Sequence, residues 1–248
     1  MKSKPLTRTN LRSLDLSSYS EISIVIPAFN EGINIAKAIE AIRTFEAAHE
    51  PFKEIIVVND GSKDHTKSIV LECEGVLLLD KQQNEGKGAA VRDGMLRAKG
   101  DWVLFLDADM STPIEEIDKL IPQTEEHDII IGSRNLPDSY KVSDQPLYRR
   151  WMGKSFAYLV RWISGLSFRD TQCGFKMMNR KSLESIFPEM KVLGWAFDVE
   201  ILLLAQKKDF AVAEVPIVWI DRTFSSKVQP IKTSWEMLLD LIKMRMRS

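Results

Sequence analysis

The sequence contains only two cysteines and three histidines among 248 residues. Cys73 and Cys173 give neither a zinc-binding spacing nor a disulfide framework, which favours a reducing compartment such as the cytosol. The formal net charge is −1, which argues against a general nucleic-acid binder. No run reaches the ~20 apolar residues needed to cross a bilayer. The N-terminus has no apolar region typical of a secretory signal, and we predict a flexible arm over residues 1–20.

The glycines also lack the spacing of two common nucleotide-binding motifs. The chain has neither the G-x-G-x-x-G pattern of dinucleotide dehydrogenases nor the G-x-x-x-x-G-K-[ST] pattern of P-loop enzymes. Both classes therefore fit the sequence poorly. The apolar fraction of 44% nevertheless supports an ordinary globular core.

Apolar runs in the first half of the chain alternate with stretches of helical periodicity. This alternation predicts right-handed crossovers and an α/β domain with a mainly parallel sheet flanked by helices, over residues 21–248. We expect Pro27 to end the first strand and Asn30 to cap the helix that follows it. The predicted strands are 22–27, 54–59, 76–79, 102–106 and 129–131.

The strand at 102–106 ends in two carboxylates, Asp107 and Asp109. Side chains alternate along a strand, so the two would point the same way if the extended geometry continues. Two hard oxygen ligands suit Mg²⁺ or Mn²⁺, with a substrate phosphate completing the coordination. Ligands of parallel sheets bind beyond the carboxyl ends of the strands. Asp60 and Arg134 follow other predicted strands, so we expect them to lie with Asp107 and Asp109 at this end of the sheet, which we call the rim.

The second half of the chain contains two basic amphipathic stretches with tryptophan, at 146–164 and 232–247. Helices of this kind can lie in the headgroup layer of a membrane. The alternative is that both helices pack on the domain and their cations are simply solvated. Two such helices beside a phosphate-binding rim favour the membrane, and we predict a peripheral protein on its cytoplasmic face.

Seven short segments form a recognisable pattern along the chain. They are Pro27–Glu31, Asn59–Ser62, Gly86–Gly88, Asp107–Asp109, Gly132–Arg134, Asp170–Lys176 and Trp195–Glu200. Taken in this order, they resemble the inverting glycosyltransferases of family 2 that load sugars onto polyprenyl phosphates. The last two segments look most like those of dolichyl-phosphate β-glucosyltransferases, and dolichyl-phosphate mannose synthases are more distant there. The resemblance implies a GT-A fold, a nucleotide-sugar donor and a lipid-phosphate acceptor.

The resemblance implies a role for the matching positions on the donor side. Pro27, Ala28 and Glu31 would cradle the nucleotide. Asp60 would accept a hydrogen bond from the base, for which the imide N–H of uracil is a suitable donor. Lys87 would lie near the diphosphate.

The metal motif of the family matches Asp107, Ala108 and Asp109, with Asp109 as the direct ligand for Mg²⁺ or Mn²⁺. Mannose synthases often have glutamine two residues later, where this chain has Ser111. The third protein ligand is therefore open, and water or phosphate could fill it.

The resemblance implies further roles for five residues of the second half. Arg134 and Arg149 would hold the acceptor phosphate. Arg222 and Lys227 would close over the diphosphate. Asp198 would line the sugar pocket, although it could also simply cap a helix.

The predicted reaction is transfer of a hexose, glucose from UDP-glucose, to a dolichyl-type phosphate. A phosphate monoester has a second pKa near ~6, so it is largely a dianion at neutral pH and needs no general base. The alternatives are a mannose synthase using GDP-mannose, a transferase with a sugar-hydroxyl acceptor, and a non-catalytic sugar-nucleotide-binding module. A nucleotidyltransferase is a weaker alternative. The sequence leaves the choice of metal, the polyprenyl length and the oligomeric state open.

Overall fold

The computed structural model describes residues 16–142, 158–222 and 230–247. Their strands are Ile22–Ala28 (β1), Glu54–Asn59 (β2), Val76–Asp80 (β3), Trp102–Leu106 (β4), Ile129–Ser133 (β5), Tyr140–Val142 (β6), Phe175–Asn179 (β7), Val212–Pro216 (β8) and Val218–Ile220 (β9). Their α-helices are Ile35–Ala48 (α1), Thr66–Leu71 (α2), Lys87–Arg97 (α3), Ile117–Leu120 (α4), 158–164 (α5), Arg180–Ile186 (α6), Phe197–Lys207 (α7) and Pro230–Arg247 (α8). Short 3₁₀ segments are Leu16–Glu21, Ile114–Glu116, Ile121–Glu125 and Phe187–Glu189.

Seven strands form one sheet in the order β3-β2-β1-β4-β7-β5-β8. Every neighbouring pair is parallel except those of β7, which runs antiparallel to both β4 and β5. A second, two-stranded sheet pairs β6 with β9 in parallel. The predicted mainly parallel α/β sheet is confirmed. The sequence pattern did not predict β7 and β8 of this sheet or the two strands of the second sheet.

Helices cover both faces of the large sheet. Ile24 and Ile26 of β1 point into one core together with α1, whereas Val25 points into a second core with α3, α7 and α8. All three side chains are fully buried. A strand that is covered on both faces reads as a continuous apolar run, which explains why the parallel strands were recognisable.

Pro27 does not end the first strand, contrary to the prediction. β1 pairs with β2 as far as Ala28, but it pairs with β4 only through Val25. Ala28 O accepts a backbone hydrogen bond on the β2 side, so the nitrogen of Pro27 faces the β4 side. Because the β4 ladder has already ended there, the missing N–H of proline breaks no hydrogen bond.

Packing begins inside the predicted arm of residues 1–20. Tyr19 lies in the first 3₁₀ segment and is 1% exposed. Its hydroxyl donates to Asp118 Oδ1 at 2.5 Å. The described part of the chain therefore includes the end of this arm, and residues 1–15 lie outside it.

The two predicted interfacial helices are described to different extents. α5 is described over 158–164, whereas 143–157 lies outside the described residues. α8 begins at Pro230 and has two apolar faces. Its buried face contains Met237, Leu241 and Met244, and its exposed face contains Trp235, Leu239, Ile242 and Met246. Within the described ranges, no helix combines the length and the hydropathy that crossing a bilayer requires.

Candidate active site

The two acidic residues that follow β4 lie on a tight turn, not on a continued strand. Met110 has a φ of +51°, and its backbone N–H donates to Asp107 O at 3.0 Å. The N–H of Ser111 donates to Asp109 Oδ1 at 2.9 Å. The expected extended geometry is therefore wrong beyond Leu106, and the turn places both carboxylates at the rim of the sheet.

The neighbouring charges of this turn suit a divalent cation. Burial and the nearby Asp107 charge raise the pKa of Asp109 above its ordinary value. A Cβ added to Gly174 would lie 2.2 Å from Asp107 Oδ2, so glycine at this position leaves room for the carboxylate. No group of three or more His, Cys, Asp or Glu side chains arranged for a metal occurs in the described part of the chain. Asp107 and Asp109 fit a metal site that takes its other ligands from water or substrate phosphate.

Lys87 begins α3 and lies beside the metal motif. Its Nζ is 2.6 Å from Asp107 Oδ1. Burial alone would lower the pKa of Lys87, but the charges of Asp107, Asp198 and Asp109 outweigh burial and raise it. Lys87 therefore stays protonated at neutral pH and adds a fixed positive charge to the rim.

The glycines on either side of Lys87 allow a close approach between two backbones. A Cβ added to Gly86 would lie 2.4 Å from Leu193 O, and one added to Gly88 would lie 2.7 Å from Val192 O. Gly86 also has a φ of +106°, a conformation that side chains disfavour. These two glycines let the segment at 191–196 pack directly on the start of α3.

Asp60 fixes the loop that leads to Lys87. Its side chain is almost completely buried, and its two oxygens accept the backbone N–H groups of Glu85 at 3.1 Å and Gly86 at 2.9 Å. Lys81 Nζ lies 3.6 Å from Asp60 Oδ1. Asp60 thus fixes the backbone just before α3. Its contact with a nucleotide base stays a prediction.

Asn30 does not cap α1, because the helix begins only after Asn34. Asn30 instead has a φ of +56° and joins two loops. Its Oδ1 accepts the N–H of Lys63 at 2.8 Å, and its own N–H donates to Ser62 Oγ at 2.8 Å. The predicted cap was wrong because Asn30 uses its side chain to tie the loop after β1 to the loop after β2.

The other residues predicted to cradle the nucleotide lie at the end of β1. Pro27 and Ala28 are buried, and Ala28 O accepts the N–H of Asp60 at 2.8 Å. Glu31 is half-buried, and one of its carboxylate oxygens accepts the side-chain amide of Asn34 at 2.7 Å. The first two loops of the predicted site are therefore joined at their base.

Arg134 follows β5 and forms a bidentate pair with Asp170. Its Nε and Nη2 donate to the two carboxylate oxygens at 2.7 Å and 2.9 Å, and its backbone N–H donates to Asp170 Oδ2 at 2.9 Å. Burial alone would raise the pKa of Asp170, but the Arg134 charge and hydrogen bonds lower it to about 2. The guanidinium carbon also lies 5.7 Å from the centroid of the Trp219 ring. Arg134 is thus held rigidly, with its remaining N–H groups available for an anion.

Lys176 is a site residue to which the sequence pattern gave no role. It lies in β7 with no exposed surface, and its Nζ donates to Cys173 O at 2.6 Å and to Asp198 Oδ1. Burial raises the pKa of Asp198 despite the Lys176 charge. A lysine between Phe175 and Met177 was the available signal, since a cation inside an apolar strand requires a buried partner.

Two predicted site residues, Arg149 and Lys227, fall outside the described residues. A third, Arg222, is exposed and follows β9 closely. The backbone N–H of Ile220 donates to Ser111 O at 2.7 Å, which attaches β9 to the metal-motif turn.

The chain is similar to well-known proteins over most of its length. Residues 23–187 match the model of the family described as glycosyl transferase family 2. The dolichyl-phosphate β-glucosyltransferase of Dictyostelium discoideum is 35% identical over 91% of this chain and 74% of its own length. The enzymes of that name from Saccharomyces cerevisiae and Homo sapiens are 34% and 30% identical, over 91% and 97% of this chain and 74% and 79% of theirs.

Solved structures with the same fold are more distant in sequence. Glucosyl-3-phosphoglycerate synthase from Mycobacterium tuberculosis, crystallised with UDP, aligns with a TM-score of 0.69 at 19% identity, over 93% of this chain and 82% of its own. Mannosyl-3-phosphoglycerate synthase from Rubrobacter xylanophilus aligns with a TM-score of 0.70 at 18% identity, over 91% and 74%. Another crystal of the M. tuberculosis enzyme contains Mn²⁺, UDP and glucosyl-3-phosphoglycerate.

The fold and the comparisons agree on one family. The mainly parallel sheet with helices on both faces is the GT-A arrangement expected from the sequence, and the solved structures share it. The family model covers more than half of the chain, and relatives at 30–35% identity extend over most of it. The chain belongs to glycosyl transferase family 2 and is a glycosyltransferase related to the dolichyl-phosphate β-glucosyltransferases.

Proposed function

We propose that this protein transfers glucose from UDP-glucose to the phosphate of dolichol or a related polyprenol, with inversion at the anomeric carbon. The names of its curated relatives support this sugar and this class of acceptor. The observation that carries the proposal is the pairing of opposite charges at one rim of the sheet. Lys87 Nζ lies 2.6 Å from Asp107 Oδ1, on the turn that also carries Asp109. Arg134 follows β5 at the same ends of the strands.

A phosphate acceptor suits this site better than a sugar hydroxyl. A hydroxyl acceptor would need a positioned base, whereas a phosphate monoester is largely a dianion at neutral pH because its second pKa is about 6. Asp198 is 4% exposed and is bonded to Lys176, so it is not placed to take a proton from a substrate. Burial raises the pKa of the Cys173 thiol to about 12, which argues against a covalent intermediate on this cysteine.

The proposed step is a single in-line displacement. A phosphate oxygen of the lipid forms a bond to the anomeric carbon, the bond to the diphosphate oxygen breaks, and no proton is transferred. Arg134 would orient the acceptor phosphate. A cation bound by Asp107 and Asp109 would neutralise the charge that develops on the leaving diphosphate. The positive charge of Lys87 would also stabilise the leaving diphosphate. We predict that Arg222 and Lys227 contact the same diphosphate.

Uracil fits the predicted role of Asp60. Each carboxylate oxygen of Asp60 accepts one backbone N–H and can accept a second donor. The imide N–H of uracil supplies such a donor. We therefore propose that the base approaches Asp60 from the loop that Asn30 ties in place.

We further propose that α8 and α5 attach the protein to the cytoplasmic face of a membrane. The exposed face of α8 includes Trp235, 62% exposed, and Met246, 76% exposed. Trp162 of α5 is 74% exposed. Exposed Arg245 on α8 adds a cation suited to anionic headgroups, whereas Lys243 Nζ lies 3.4 Å from Asp240 Oδ1.

A donor and acceptor assay tests the reaction. Purified protein is incubated with polyprenyl phosphate and UDP-glucose, GDP-mannose or UDP-N-acetylglucosamine, with Mg²⁺, Mn²⁺ or a chelator. We expect metal-dependent transfer of glucose to the lipid. Transfer from GDP-mannose alone would contradict UDP-glucose as the donor and place the enzyme with the mannose synthases. Donor binding without any lipid product would contradict polyprenyl phosphate as the acceptor.

Membrane attachment has its own test. Sedimentation with vesicles that contain anionic lipid should bring the protein down, and a Trp235→Ser/Met246→Ser variant should bind less. A Leu71→Ser variant is the matched control, because Leu71 is 66% exposed at the end of α2. Equal binding by both variants would contradict the role of α8.

A further inference from the structure

Trp195 belongs to a short segment, residues 191–196, whose position is fixed by α7. The carboxylate of Glu200 accepts the backbone N–H of Lys191 at 2.9 Å and that of Val192 at 2.7 Å. The same segment packs against the two glycines at the start of α3. The backbone that carries Trp195 is therefore held by side-chain and main-chain contacts on both sides.

The indole of Trp195 lies beside the charged rim. Lys87 Nζ is 5.5 Å from the centroid of its ring, and the same Nζ is 2.6 Å from Asp107 Oδ1. The ring thus lies one side chain away from the metal motif. Trp195 is 39% exposed, whereas the next residues, Ala196 and Phe197, are fully buried. A large aromatic side chain is left open at the place where the substrate would bind.

We propose that Trp195 is the platform on which the hexopyranose ring of the donor packs. This inference rests on the proposed function, because it requires a nucleotide-sugar donor. The hexose of such a donor is attached directly to the diphosphate. A diphosphate held between Lys87 and a cation on Asp107 would bring the sugar within reach of this indole. Trp195 would then determine how well the sugar, and not the nucleotide, is bound.

The chemistry of the two rings is complementary. A hexopyranose with equatorial hydroxyls presents axial C–H bonds on its faces, and these faces are the apolar part of the sugar. Tryptophan offers a large, rigid and apolar surface at a low cost in side-chain entropy. The sugar hydroxyls at the ring edge would stay free for polar partners.

The test compares one ligand that carries the sugar with one that lacks it, and the readout is the effect of each variant on the ratio of the two affinities. The affinities of UDP-glucose and UDP are measured by calorimetry with Mn²⁺ on the wild type, Trp195→Ala and Trp195→Phe. We expect Trp195→Ala to weaken UDP-glucose by about tenfold, the size of a lost aromatic contact, and to leave UDP unchanged. Trp195→Phe should retain most of the affinity because it keeps a flat ring.

Trp102 provides the matched control, since it begins β4 and so lies at the end of the strand that is opposite the rim. Trp102→Phe should leave both affinities unchanged. Equal weakening of UDP and UDP-glucose by Trp195→Ala would overturn the proposal, because the indole would then act only by holding Lys87. Unchanged binding of both ligands would also overturn it.

Two further outcomes keep the test decisive. If thermal melting shows that Trp195→Ala does not fold, Trp195→Leu replaces it, since leucine fills space without a ring face and should weaken UDP-glucose alone. If the ratio of the UDP-glucose affinity to the UDP affinity is the same in the wild type and in the variant, the platform is wrong. If the wild type binds neither ligand, the proposed function itself is wrong.

Discussion

Two ion pairs at the same rim are built in opposite ways. Arg134 makes three hydrogen bonds to Asp170, at 2.7 to 2.9 Å, and the Asp170 side chain is only 3% exposed. Lys87 makes a single contact with Asp107 at 2.6 Å, and the Asp107 side chain is 35% exposed. The first pair fixes a guanidinium in one orientation. The second holds its carboxylate loosely.

This difference matches the groups that each pair is proposed to bind. A largely buried, bidentate pair cannot lose one partner without leaving a charge uncompensated, whereas water can solvate a half-exposed carboxylate. The Arg134 side of the site is thus suited to position an acceptor phosphate that arrives without a metal. The Lys87 side is suited to exchange its partners when a cation and a diphosphate bind.

The largest effect is expected on the Lys87 side, from Asp109→Asn. This change keeps the shape of the side chain but removes a carboxylate from the pair that fits the cation. Turnover should fall by at least about a thousandfold, since stabilisation of the leaving group is lost. Initial rates with saturating donor and metal measure it.

The control is Asp101→Asn. Asp101 is exposed and immediately precedes β4, at the end of the strand that is opposite the rim. It should turn over like the wild type. An active Asp109→Asn enzyme that still requires metal would show that Asp109 does not bind the cation.

Asp170→Asn tests the rigid pair through stability. It would leave Arg134 partly buried without a counter-charge, and we expect the free energy of unfolding to fall by about 3 kcal/mol at neutral pH. The pKa of Asp170 in the folded protein is about 2, below the ~3.9 of an unfolded aspartate. The pair therefore stabilises fully above pH ~4, and this stabilisation is lost as the pH falls through about 2.

Urea unfolding of the wild type and Asp170→Asn at several pH values measures the difference. The gap between the two proteins should be largest at neutral pH and should narrow as the pH falls below about 4. A gap that stays constant down to pH ~2 would show that the ion pair is not its source.

Lys87→Met should behave in the opposite way. Because methionine fills the same space and water can solvate the half-exposed Asp107 carboxylate, the unfolding free energy should change by less than about 1 kcal/mol. Turnover should nevertheless fall by about ten- to a hundredfold, through loss of a charge near the diphosphate. The two readouts are urea unfolding and initial rate. A large loss of stability would remove the contrast between the two pairs.

The sequence predicts the strands of this fold better than their contacts. The five predicted parallel strands are present because each is a continuous apolar run. β7 was not predicted, since Lys176 interrupts its apolar pattern. Asp198, the ion-pair partner of Lys176, lies 22 residues further along the chain, and no local sequence pattern connects these two residues.

The candidate site shows the same division. The rule for parallel sheets placed Asp60, Asp107 and Arg134 at strand ends, where the structure has them. The groups that hold two of them in place were not predictable. Asp60 is fixed by backbone N–H groups of a distant loop, and Arg134 by Asp170. Such contacts depend on how remote segments approach each other.

The smallest effect, and the sharpest separation of charge from geometry, is expected from Arg134→Lys. Lysine keeps the positive charge. It cannot form the bidentate hydrogen bonds to Asp170 and at the same time direct further N–H groups toward a phosphate, as a guanidinium can. The catalytic efficiency for polyprenyl phosphate should fall by about tenfold, while the KM for UDP-glucose stays the same. Steady-state kinetics with each substrate varied in turn separates the two values.

Arg180→Lys is the matched control, because the Arg180 guanidinium bonds only a backbone oxygen, that of Gly100, among its described contacts. It should leave both kinetic values unchanged. If Arg134→Lys instead raised the KM for UDP-glucose, Arg134 would belong with the donor. The rigid pair would then hold the leaving group, and the division of the rim into an acceptor side and a donor side would be wrong.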